Sequence, residues 1–572
     1  MAEHTASIVA DDLAGTALRT GVTPWPEELA RTYRAAGYWR DRPLGDLVWE
    51  WAEARPHRIA VADGGTRITY RELAARADQV AVLLRDRGLG PGTAMLVALP
   101  NGWELVVLLL ACLRAGVAPV MMLPAHRDHE LAAIGLRTGA EAIAVPGTFR
   151  GHDHQAMADR VRAEVPSLRE VLVCGDGAGG EDGHGHHVDL RSAVEHVPSA
   201  DDVEAHRSRL DATPPEPGDV AVFLLSGGTT GLSKVIARTH NDYEYNARRS
   251  AEVCGFDART VYLAALPAGH NFPLASPGIL GTLMVGGTVV LVPSPSPSRV
   301  FETIAAERVT AVAAVPAVLS RWVAAAEAGD PDLTSLRLVQ VGGSLFAKEA
   351  YRRAVNVLGC RVQQVYGMAE GLLCYVRETD PDDVAAATQG RPISVHDELR
   401  IVDPSGAEVA HGESGELLVR GPYTPRGYFR APEQNREAFT DGWYRTGDLV
   451  LRHPGGNLVV VGRTKDVVNR GGEKISADEI ERLVQAVDGV AEVAVIAAPD
   501  PELGERACAC VVPRPGRTVT LQDIGRALRA AGVAEFKIPE SLLVLREMPQ
   551  TSVGKTDKNA LSRIVTSRTH LA

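Results

Sequence analysis

The sequence predicts an α/β protein with a large N-terminal multi-layer α/β domain, which includes a β-rich subdomain, and a small α+β C-terminal domain. The chain of 572 residues is too long for a single compact core. Over residues 44 to about 300, and again over residues 309–366, short apolar or β-branched runs alternate with amphipathic helical stretches. After Gly390, short strands separated by turn signals replace this pattern and predict the β-rich subdomain.

Local patterns predict the individual elements. Apolar spacing predicts a helix over residues 70–84, and short apolar runs predict strands over residues 95–99, 336–341 and 361–365. In the C-terminal domain we expect a helix over residues 477–486, strands over residues 490–498 and 507–513, and a helix over residues 521–531. The boundary falls near residue 464, so the N-terminal core spans residues 1–464 and the C-terminal domain residues 465–572.

The composition indicates a globular protein that does not bind nucleic acid. Hydrophobic residues make up 45% of the chain and charged residues 23%, which argues against disorder. Lys and Arg number 60 against 72 Asp and Glu, so the net charge is -12 and no global basic field would hold a nucleic-acid backbone. The N-terminus lacks the pattern of a signal peptide, and the longest apolar run, residues 105–113, is too short to span a membrane. We therefore expect a cytoplasmic protein with no nucleic-acid or membrane partner.

Cysteines and a histidine-rich stretch are weak candidates for metal binding. The seven cysteines have no regular spacing and indicate reduced thiols, and Cys508 and Cys510 alternate like one face of a buried strand. Residues 175–187 are rich in Gly, Asp and His and are typical of an exposed loop. Their histidines could bind a metal ion together with His152 or His154, but the stretch offers neither cysteine partners nor helical spacing.

A glycine- and hydroxyl-rich segment follows an apolar strand predicted over residues 220–225. The segment reads SGGTTGLSK over residues 226–234. Its glycines let backbone N–H groups approach an anion, its hydroxyls add donors, and Lys234 adds positive charge. The spacing is not that of the P-loop, because four residues do not separate the first glycine from a Gly-Lys pair. The segment alone therefore predicts an anion-binding loop.

Further motifs identify the kind of protein. Following SGGTTGLSK, the chain contains YGMAEG over residues 366–371, YRTGD over 444–448, GRTKDVVNRGGEK over 462–474 and PQTSVGK over 549–555. In this order the motifs resemble the adenylate-forming superfamily, which includes acyl-CoA synthetases, luciferases and the adenylation domains of nonribosomal peptide synthesis.

Four shorter stretches narrow the resemblance. They are RTHNDY over residues 238–243, GHNFPLASPG over 269–278, QVGG over 340–343 and RGPYTPRGYF over 420–429. These stretches are similar to free-standing aryl-acid AMP ligases, such as the 2,3-dihydroxybenzoate-AMP ligases of siderophore pathways. The resemblance covers residues 44–561.

The resemblance implies an enzyme that uses ATP and Mg²⁺ to convert a small aromatic carboxylic acid into an aryl-AMP, with release of pyrophosphate. The acyl group would then pass to the phosphopantetheine thiol of an aryl carrier protein in siderophore or nonribosomal peptide biosynthesis. Because the chain ends at Ala572 with no room for a carrier domain, we expect the carrier to act in trans. An aryl-CoA ligase and a nonenzymatic protein that has kept the fold are the alternatives.

The family pattern also assigns the ATP site. Glu370 would bind Mg²⁺, and Asp448 would accept hydrogen bonds from the ribose hydroxyls. Arg463 would make a second contact with the ribose or phosphates, and Tyr366 would stack on adenine. The other implied nucleotide contacts are Ser226, Gly227, Gly228, Thr229, Thr230 and Lys234 around the phosphates, and Gly343, Gly367 and Met368 around the base.

The acid pocket is expected around the GHNFPLASPG stretch. By resemblance, Asn271 and Ser276 would hydrogen-bond the ring substituent beside the carboxylate. Phe272 and Leu373 would form apolar walls, with Gly342 beside them. His270 would gate the pocket and contact the side of the α-phosphate.

The pocket sequence favours 2,3-dihydroxybenzoate without excluding related acids. The hydroxyl of Ser276 can pair with a second substrate hydroxyl, whereas a thiol at that position would suit salicylate. Three departures from the family pattern are Phe272 in place of tyrosine, Leu373 in place of valine, and Ser344-Leu345 in place of Ala-Lys. The alternatives 3-hydroxypicolinate, 3-hydroxyanthranilate and salicylate therefore stay open.

The resemblance further implies that the C-terminal domain is mobile. Lys555 would serve adenylation by reaching the attacking carboxylate and the α-phosphate, which requires the small domain to swing over the large one. Lys465 occupies the position of the family hinge. After a rotation about this hinge, the NRGGEK segment over residues 469–474 would approach the path of the thiol.

Overall fold

The computed structural model describes residues 18–175, 187–228, 231–344, 346–463, 467–550 and 556–569. The α-helices in chain order are α1 (Glu27–Ala35), α2 (Leu47–Ala54), α3 (Tyr70–Asp86), α4 (Trp103–Ala115), α5 (Asp128–Thr138), α6 (His154–Glu164), α7 (Leu190–Glu195), α8 (Ala200–Asp211), α9 (His240–Cys254), α10 (Asn271–Ala275), α11 (Gly278–Met284), α12 (Pro297–Glu307), α13 (Pro316–Gly329), α14 (Lys348–Leu358), α15 (Asp382–Ala387), α16 (Pro432–Ala438), α17 (Ala477–Gln485), α18 (Leu521–Ala530) and α19 (Lys558–Thr569). Short 3-10 helices cover Leu18–Gly21 and Glu535–Lys537.

The β-strands are likewise numbered in chain order. They are β1 (Ile59–Asp63), β2 (Thr66–Thr69), β3 (Ala94–Val97), β4 (Ala118–Met121), β5 (Ala142–Pro146), β6 (Thr148–Phe149), β7 (His152–Asp153), β8 (Glu170–Cys174), β9 (His187–Asp189), β10 (Val220–Gly228), β11 (Gly231–Thr239), β12 (Val261–Ala264), β13 (Thr288–Leu291), β14 (Ala311–Ala314), β15 (Leu338–Gly342), β16 (Arg361–Gly367), β17 (Leu373–Tyr375), β18 (Arg391–Pro392), β19 (Glu398–Val402), β20 (Gly415–Arg420), β21 (Phe439–Thr440), β22 (Trp443–Arg452), β23 (Leu458–Arg463), β24 (Val467–Arg470), β25 (Glu473–Ser476), β26 (Val490–Asp500), β27 (Gly504–Pro513) and β28 (Ser541–Val544).

Two mixed sheets form the layers of the N-terminal part. The nine-stranded sheet has the order β18-β17-β16-β15-β14-β12-β13-β1-β2, and the seven-stranded sheet has the order β11-β10-β4-β3-β5-β8-β9. The inner strands run parallel, and antiparallel pairs occur at the edges, as at β1 and β2 or β10 and β11. The carboxyl ends of parallel strands gather along one edge of a sheet, where α/β proteins bind their ligands.

Helix α4 joins the two layers. It contacts β1 of the nine-stranded sheet and β4 of the seven-stranded sheet. All of its residues except Glu104 are buried, because nearly all are apolar and Arg114 is paired with Asp46, Asp78 and Asp211. The helix ends at Gly116, whose left-handed φ of 75° suits glycine.

A third and a fourth sheet follow along the chain. The third is antiparallel with the order β19-β20-β22-β21, and β23 pairs with β22; this is the predicted β-rich subdomain. The fourth has the order β25-β24-β27-β26, with β28 parallel to β27. The third sheet ends at Arg463 and the fourth begins at Val467, on either side of the predicted boundary.

The C-terminal sheet has a core on each face. Ala507 and Ala509 of β27 pack under α17 and α18, whereas Cys508 and Cys510 pack on the other face beside α19. The predicted alternation of the two cysteines on a buried strand is therefore confirmed. All seven cysteines are free and buried.

Two further observations concern membrane-spanning helices and metal sites. Within the described ranges, no helix has both the length and the apolar character needed to cross a membrane. The same ranges contain no group of three or more His, Cys, Asp or Glu side chains arranged to hold a metal ion. Residues 176–186 of the histidine-rich stretch lie outside the described residues.

The predicted elements are present with small shifts at their ends. Helix α3 covers the helix predicted over residues 70–84 and begins at a capping box formed by Thr69 and Glu72. Strands β3, β15 and β16 correspond to the strands predicted over residues 95–99, 336–341 and 361–365, and β26 and β27 to those predicted over 490–498 and 507–513.

The glycine-rich segment differs from the predicted loop. Strand β10 continues to Gly228 and β11 begins at Gly231, so the segment is the tip of a hairpin in which Ser226 pairs with Lys234. Glycine and serine do not usually favour a strand, but the apolar residues on both sides set the cross-strand register and extend the pairing. Thr229 and Thr230 lie outside the described residues.

Candidate active site

A cavity of about 330 Å³ lies beyond the carboxyl ends of β15 and β16. Its walls come from the hairpin β10–β11, from the segment around α10, and from the C-terminal part of the chain. The predicted residues that line it are Ser226, Lys234, His270, Asn271, Phe272, Ser276, Gly342, Gly343, Gly367, Met368, Glu370, Leu373 and Asp448. Residues more than 200 positions apart in the chain therefore meet in one cavity.

A chain of buried hydrogen bonds lies at one end of the cavity. The hydroxyl of Tyr243, on α9, donates to Asn271 Oδ1 over 3.0 Å, and Asn271 Nδ2 donates to Ser276 Oγ over 3.2 Å. The tyrosine hydroxyl is a donor here, so the carbonyl oxygen of the Asn271 amide must face it. Burial raises the pKa of Tyr243 well above its usual value, which keeps this donor protonated. The amide nitrogen of Asn271 is thereby directed to Ser276.

Apolar side chains and backbone groups narrow the end of the cavity that contains Asn271 and Ser276. A side chain at Gly342 would meet the carbonyl oxygen of Val365 at 2.8 Å, and Phe272 lies next to it. A side chain at Gly367 would meet Leu373 at 2.4 Å. Because Gly342 and Gly367 have no side chains, the space that Phe272 and Leu373 line stays open.

A second network in the cavity is centred on Glu370, among residues predicted to contact the phosphates. Ser226 Oγ donates to Glu370 Oε1 over 2.6 Å, and the hydroxyl of Tyr428 donates to the same oxygen over 3.0 Å. Lys234 Nζ in turn donates to Tyr428 Oη over 3.3 Å and lies 4.5 Å from the centre of its ring. Burial first, and then the charge of Glu370, raise the pKa of Tyr428 well above its usual value. The tyrosine thus stays a donor between the lysine and the carboxylate.

The residues present fit a magnesium ion and a nucleotide. Glu370 offers a carboxylate at the cavity wall beside a hydroxyl, and Mg²⁺ typically takes one or two carboxylates together with phosphate oxygens. Asp448 is buried and accepts a hydrogen bond of 2.7 Å from the hydroxyl of Tyr366. The backbone of Arg463 pairs with Asp448 across β22 and β23. Gly343 lines the cavity and has a left-handed φ of 91°, a conformation that suits glycine.

Residues of the C-terminal part also line the cavity, next to His270 and Gly343. His270 Nε2 donates to Glu473 Oε1 over 3.1 Å, and Lys474 Nζ and Asn469 Nδ2 donate to the carbonyl oxygen of Gly343 over 2.8 and 2.9 Å. Burial alone would lower the pKa of His270, but the charge and hydrogen bond of Glu473 outweigh it and raise that pKa. The pKa of Glu473 is lowered, because the contact with His270 outweighs the effect of its own burial. Each partner thus favours the charged form of the other.

Residues 48–429 match the AMP-binding enzyme family, and residues 479–555 match the AMP-binding enzyme C-terminal domain. The chain belongs to the AMP-binding enzymes, the adenylate-forming superfamily. The salicylyl-CoA synthase / salicylate adenylyltransferase of a Streptomyces species is 58% identical over 549 residues, which are 96% of this chain and 98% of the relative. The 2,3-dihydroxybenzoate-AMP ligase of Bacillus subtilis (strain 168) is 43% identical, with coverage of 96% and 98%.

A solved structure supports the same assignment. The apo structure of MbtA from Mycobacterium smegmatis has a TM-score of 0.71 and 43% identity, and the match covers 96% of this chain and 99% of that chain. The predicted membership of the adenylate-forming superfamily is confirmed, and so are the predicted fold class and the enzyme class of aryl-acid adenylating ligases.

In this adenylate-forming enzyme, several predicted residues lie outside the described part of the chain. They are Thr229, Thr230, the hinge candidate Lys465 and the adenylation candidate Lys555. Their roles stay predictions. Gly227 and Gly228 are the last residues of β10, and only the backbone of Arg463 is described.

Four residues of this adenylate-forming enzyme were not singled out from the sequence. Tyr243, Tyr428 and Glu473 lie within motifs that carry the resemblance, but their contacts depend on elements distant in the chain. His126 follows β4 and lines the cavity, and burial lowers its pKa to about 4. A polar residue in the loop that follows the carboxyl end of a parallel strand is the signal that could have indicated it.

Proposed function

We propose that the protein joins AMP from ATP to a small 2-hydroxy-substituted aromatic carboxylic acid and then passes the acyl group to a phosphopantetheine thiol. The observation that carries the proposal is the division of one cavity. A buried, polar and narrow end contains Asn271 and Ser276, and the opposite wall carries Glu370, Ser226 and Lys234. This arrangement suits an aromatic ring whose carboxylate points to the phosphates.

In the first half-reaction, a carboxylate oxygen attacks the α-phosphorus of ATP and pyrophosphate leaves. Negative charge crowds the transition state, so positioning and electrostatic stabilisation dominate over covalent catalysis. Ser226 and Lys234 would steer the departing β- and γ-phosphates. Glu370 would hold Mg²⁺, which would supply charge neutralisation for the phosphates. Asp448 would hold the ribose and Gly343 and Met368 the adenine.

In the second half-reaction, a thiol attacks the carbonyl carbon of the aryl-adenylate and AMP leaves. The contacts of Glu473 with His270 and of Lys474 with Gly343 support a role for this segment in the second step, because they bring it to the cavity next to the residues proposed to bind the acid. We infer that the described orientation of the C-terminal part suits thiol transfer. Adenylation by Lys555 then needs the other orientation.

The acid is a 2-hydroxybenzoate or a close relative. Asn271, held by Tyr243, presents a polar amide to the substituent beside the carboxylate. The hydroxyl of Ser276 favours 2,3-dihydroxybenzoate, whereas the Streptomyces relative at 58% identity is named for salicylate. A site built to hydrogen-bond a substrate hydroxyl discriminates strongly against analogues without it. The related acids 3-hydroxypicolinate and 3-hydroxyanthranilate belong in the same comparison.

An aryl carrier protein acting in trans is the acceptor that we propose. Coenzyme A is a second candidate, because the Streptomyces relative is named as a CoA synthase. Both acceptors present the same phosphopantetheine arm.

Carboxylate-dependent exchange of pyrophosphate into ATP tests the first step. We expect exchange with 2,3-dihydroxybenzoate and salicylate and little exchange with benzoate. Thioester formation on coenzyme A and on a phosphopantetheinylated aryl carrier protein tests the second. Lack of exchange with every aryl acid offered would contradict an adenylating function, and efficient turnover of coenzyme A alone would replace the carrier with coenzyme A.

Replacing Lys555 separates the two steps. We expect Lys555→Ala to reduce adenylation by about 10²-fold or more, because a cation at the reacting phosphate is lost. Thiol transfer from supplied aryl-adenylate should stay close to the wild-type rate. An equal loss of both steps would contradict the assignment of Lys555 to adenylation.

A further inference from the structure

A buried cluster of three charged side chains connects the two parts of the chain beside the cavity. Lys537 Nζ lies 2.8 Å from Glu479 Oε1 and 3.3 Å from Glu130 Oε1. The three side chains are 3%, 5% and 3% exposed, respectively. Glu130 belongs to α5 of the N-terminal part, whereas Glu479 and Lys537 belong to the C-terminal part. We refer to these three residues as the interdomain cluster.

Glu130 is held in place from both sides. Its Oε2 accepts the backbone N–H of Arg127 over 2.9 Å, as in a capping box, and its Oε1 accepts the backbone N–H of Ala534 over 3.1 Å. The carboxylate therefore contacts its own helix and the C-terminal part at the same time. Burial would raise its pKa, but Lys537 and the hydrogen bonds outweigh that effect and lower it. Glu130 is thus ionised near neutral pH.

Lys537 is also charged, although it is buried. Burial would lower its pKa, but the two carboxylates outweigh burial and raise it. A buried charge that loses its partner is costly, because water cannot replace the lost contact. The cluster therefore depends on the relative position of the two parts.

Other contacts near the interdomain cluster also join the N-terminal part to the C-terminal part. The backbone N–H of His129 donates to the carbonyl oxygen of Gly532 over 3.3 Å, and the ring of His126 lies 6.1 Å from that of Phe536. Phe536 and Lys537 line the cavity together with residues 471–474. The cluster is thus continuous with the wall that the C-terminal part contributes to the cavity.

The contacts of Glu130 with Lys537 and with the Ala534 N–H join the two parts of the chain, and so does the contact of Glu479 with His129. Glu479 and Lys537 would move together with the C-terminal part, so their pairing survives a rotation of that part. The pairing of Glu130 with Lys537 and with Ala534 N–H exists only while α5 faces the segment around residue 537. This contact therefore stabilises the described orientation relative to any other.

We propose that Glu130 and Lys537 are positioning residues of the thiol-transfer step, and that their buried contact holds the C-terminal part where residues 471–474 face the acid site. This inference rests on the proposed two-step function. Neither residue needs to touch the acyl group. Their effect is to raise the fraction of the enzyme that is ready for transfer.

The experiment measures both half-reactions for Glu130→Gln, Lys537→Met and the double variant. Exchange of pyrophosphate into ATP with salicylate reports adenylation, and acyl transfer from supplied salicyl-adenylate to coenzyme A and to a phosphopantetheinylated aryl carrier protein reports transfer. We expect transfer to fall about tenfold in each single variant, a size found for coupled neighbours, with exchange unchanged or faster. The double variant should lose no more than the worse single variant, because the contact between Glu130 and Lys537 is already absent in both single variants.

Glu72→Gln is the matched control. Glu72 occupies the same third position of a capping box, at the start of α3, and contacts Thr69 within the N-terminal part. It should leave the ratio of transfer to exchange unchanged. Thermal unfolding of each variant shows whether the chain still folds.

Three results would overturn the inference. They are unchanged transfer in Glu130→Gln, an equal loss of exchange and transfer in the single variants, and fully additive losses in the double variant. Failure of the proposed function looks different, because the wild-type enzyme itself would then lack exchange or transfer.

Discussion

Asn271 faces the cavity with an amide whose two ends differ in chemistry, and a neighbouring phenol decides which end points where. Tyr243 donates to Oδ1, so Nδ2 is directed to Ser276. Without the phenol the amide could turn over, and its donor and acceptor would exchange places. Under the proposed function, the recognition of a ring hydroxyl would therefore depend on Tyr243, which does not line the cavity.

Tyr243→Phe tests this dependence. We expect kcat/KM for exchange with salicylate to fall about tenfold, because the buried Oδ1 of Asn271 loses its partner. Benzoate, which lacks the ortho hydroxyl, serves as the control substrate and should be used at its unaltered low rate. A loss of the same size with both acids would point to a general disturbance of the pocket.

Tyr428 has a comparable position on the phosphate side, between Lys234 and Glu370. We expect Tyr428→Phe to lower the exchange rate about 10- to 100-fold and to raise the Mg²⁺ concentration needed for half-maximal rate, because Glu370 loses a donor that fixes its position.

Tyr351→Phe is the control for that variant, since its buried hydroxyl donates to the carbonyl of Val362 away from the cavity. An unchanged Mg²⁺ requirement in Tyr428→Phe would show that Glu370 does not depend on the tyrosine.

At the scale of single residues, the sequence predicted which residues line the cavity better than it predicted the hydrogen bonds between them. Asn271, Ser276 and Glu370 were expected from motifs and do line one cavity. Tyr243 and Tyr428 were missed, because a hydrogen bond between residues 28 or 58 positions apart follows from tertiary packing and leaves no local pattern.

At the scale of an element, the hairpin β10–β11 shows which features a local sequence pattern predicts and which it does not. Its apolar first half was expected as a strand, whereas the pairing of Ser226 with Lys234 was not. Composition favours a loop at glycine and serine, and the pairing partner decides otherwise. The helices of the C-terminal part were predicted closely, because their apolar spacing is clear and their ends carry capping residues, such as Ser476 before α17.

The connection between β18 and β19 carries a buried carboxylate that responds to pH. Asp397 accepts hydrogen bonds from the hydroxyl of Tyr423 and the backbone N–H of Ser394, but its Oδ1 is buried without a partner. Burial raises the pKa of Asp397 to about 7, against the opposing effect of these hydrogen bonds. Tyr423 in turn accepts the backbone N–H of Leu373, a wall of the acid pocket.

The sign of the pH effect follows from this shift. A carboxyl group with a raised pKa binds its proton more tightly in the folded protein, so the free energy of unfolding falls as the pH rises from about 4 to about 7. Asp397→Asn removes the charge and should be more stable than the wild type by about 1 to 3 kcal/mol at pH 8. The difference should disappear near pH 4. Urea unfolding at several pH values measures it, and parallel stability curves for the two proteins would contradict the expectation.

At the scale of the whole molecule, the proposed thiol transfer depends on the orientation of the C-terminal part relative to the N-terminal part. Gly472 has a left-handed φ of 100°, and a side chain there would meet Val315 Cγ1 at 2.8 Å. We expect Gly472→Ala to disfavour the described orientation and to reduce thiol transfer about tenfold, while exchange of pyrophosphate into ATP is retained.

Two further variants separate the steric effect from backbone strain. Gly471 also has a left-handed φ, of 58°, but a side chain there would meet Leu503 of the same C-terminal part at 3.3 Å. Gly471→Ala is therefore the control for strain and should affect transfer less. Adding Val315→Ala to Gly472→Ala should restore part of the lost transfer. Absence of any rescue would argue against the contact as the cause.

The lining of the cavity is divided along the chain, and this has a consequence for the origin of new specificities. The residues proposed to bind the acid lie between positions 243 and 373, whereas another part of the lining comes from positions 467 to 537. Under the proposed function, the choice of acid and the choice of thiol would thus be encoded in separate stretches of a gene. Recombination within the short connection between Arg463 and Val467 would exchange one without the other, if the incoming segment keeps a lysine to meet Glu130 and a glycine to pass Val315.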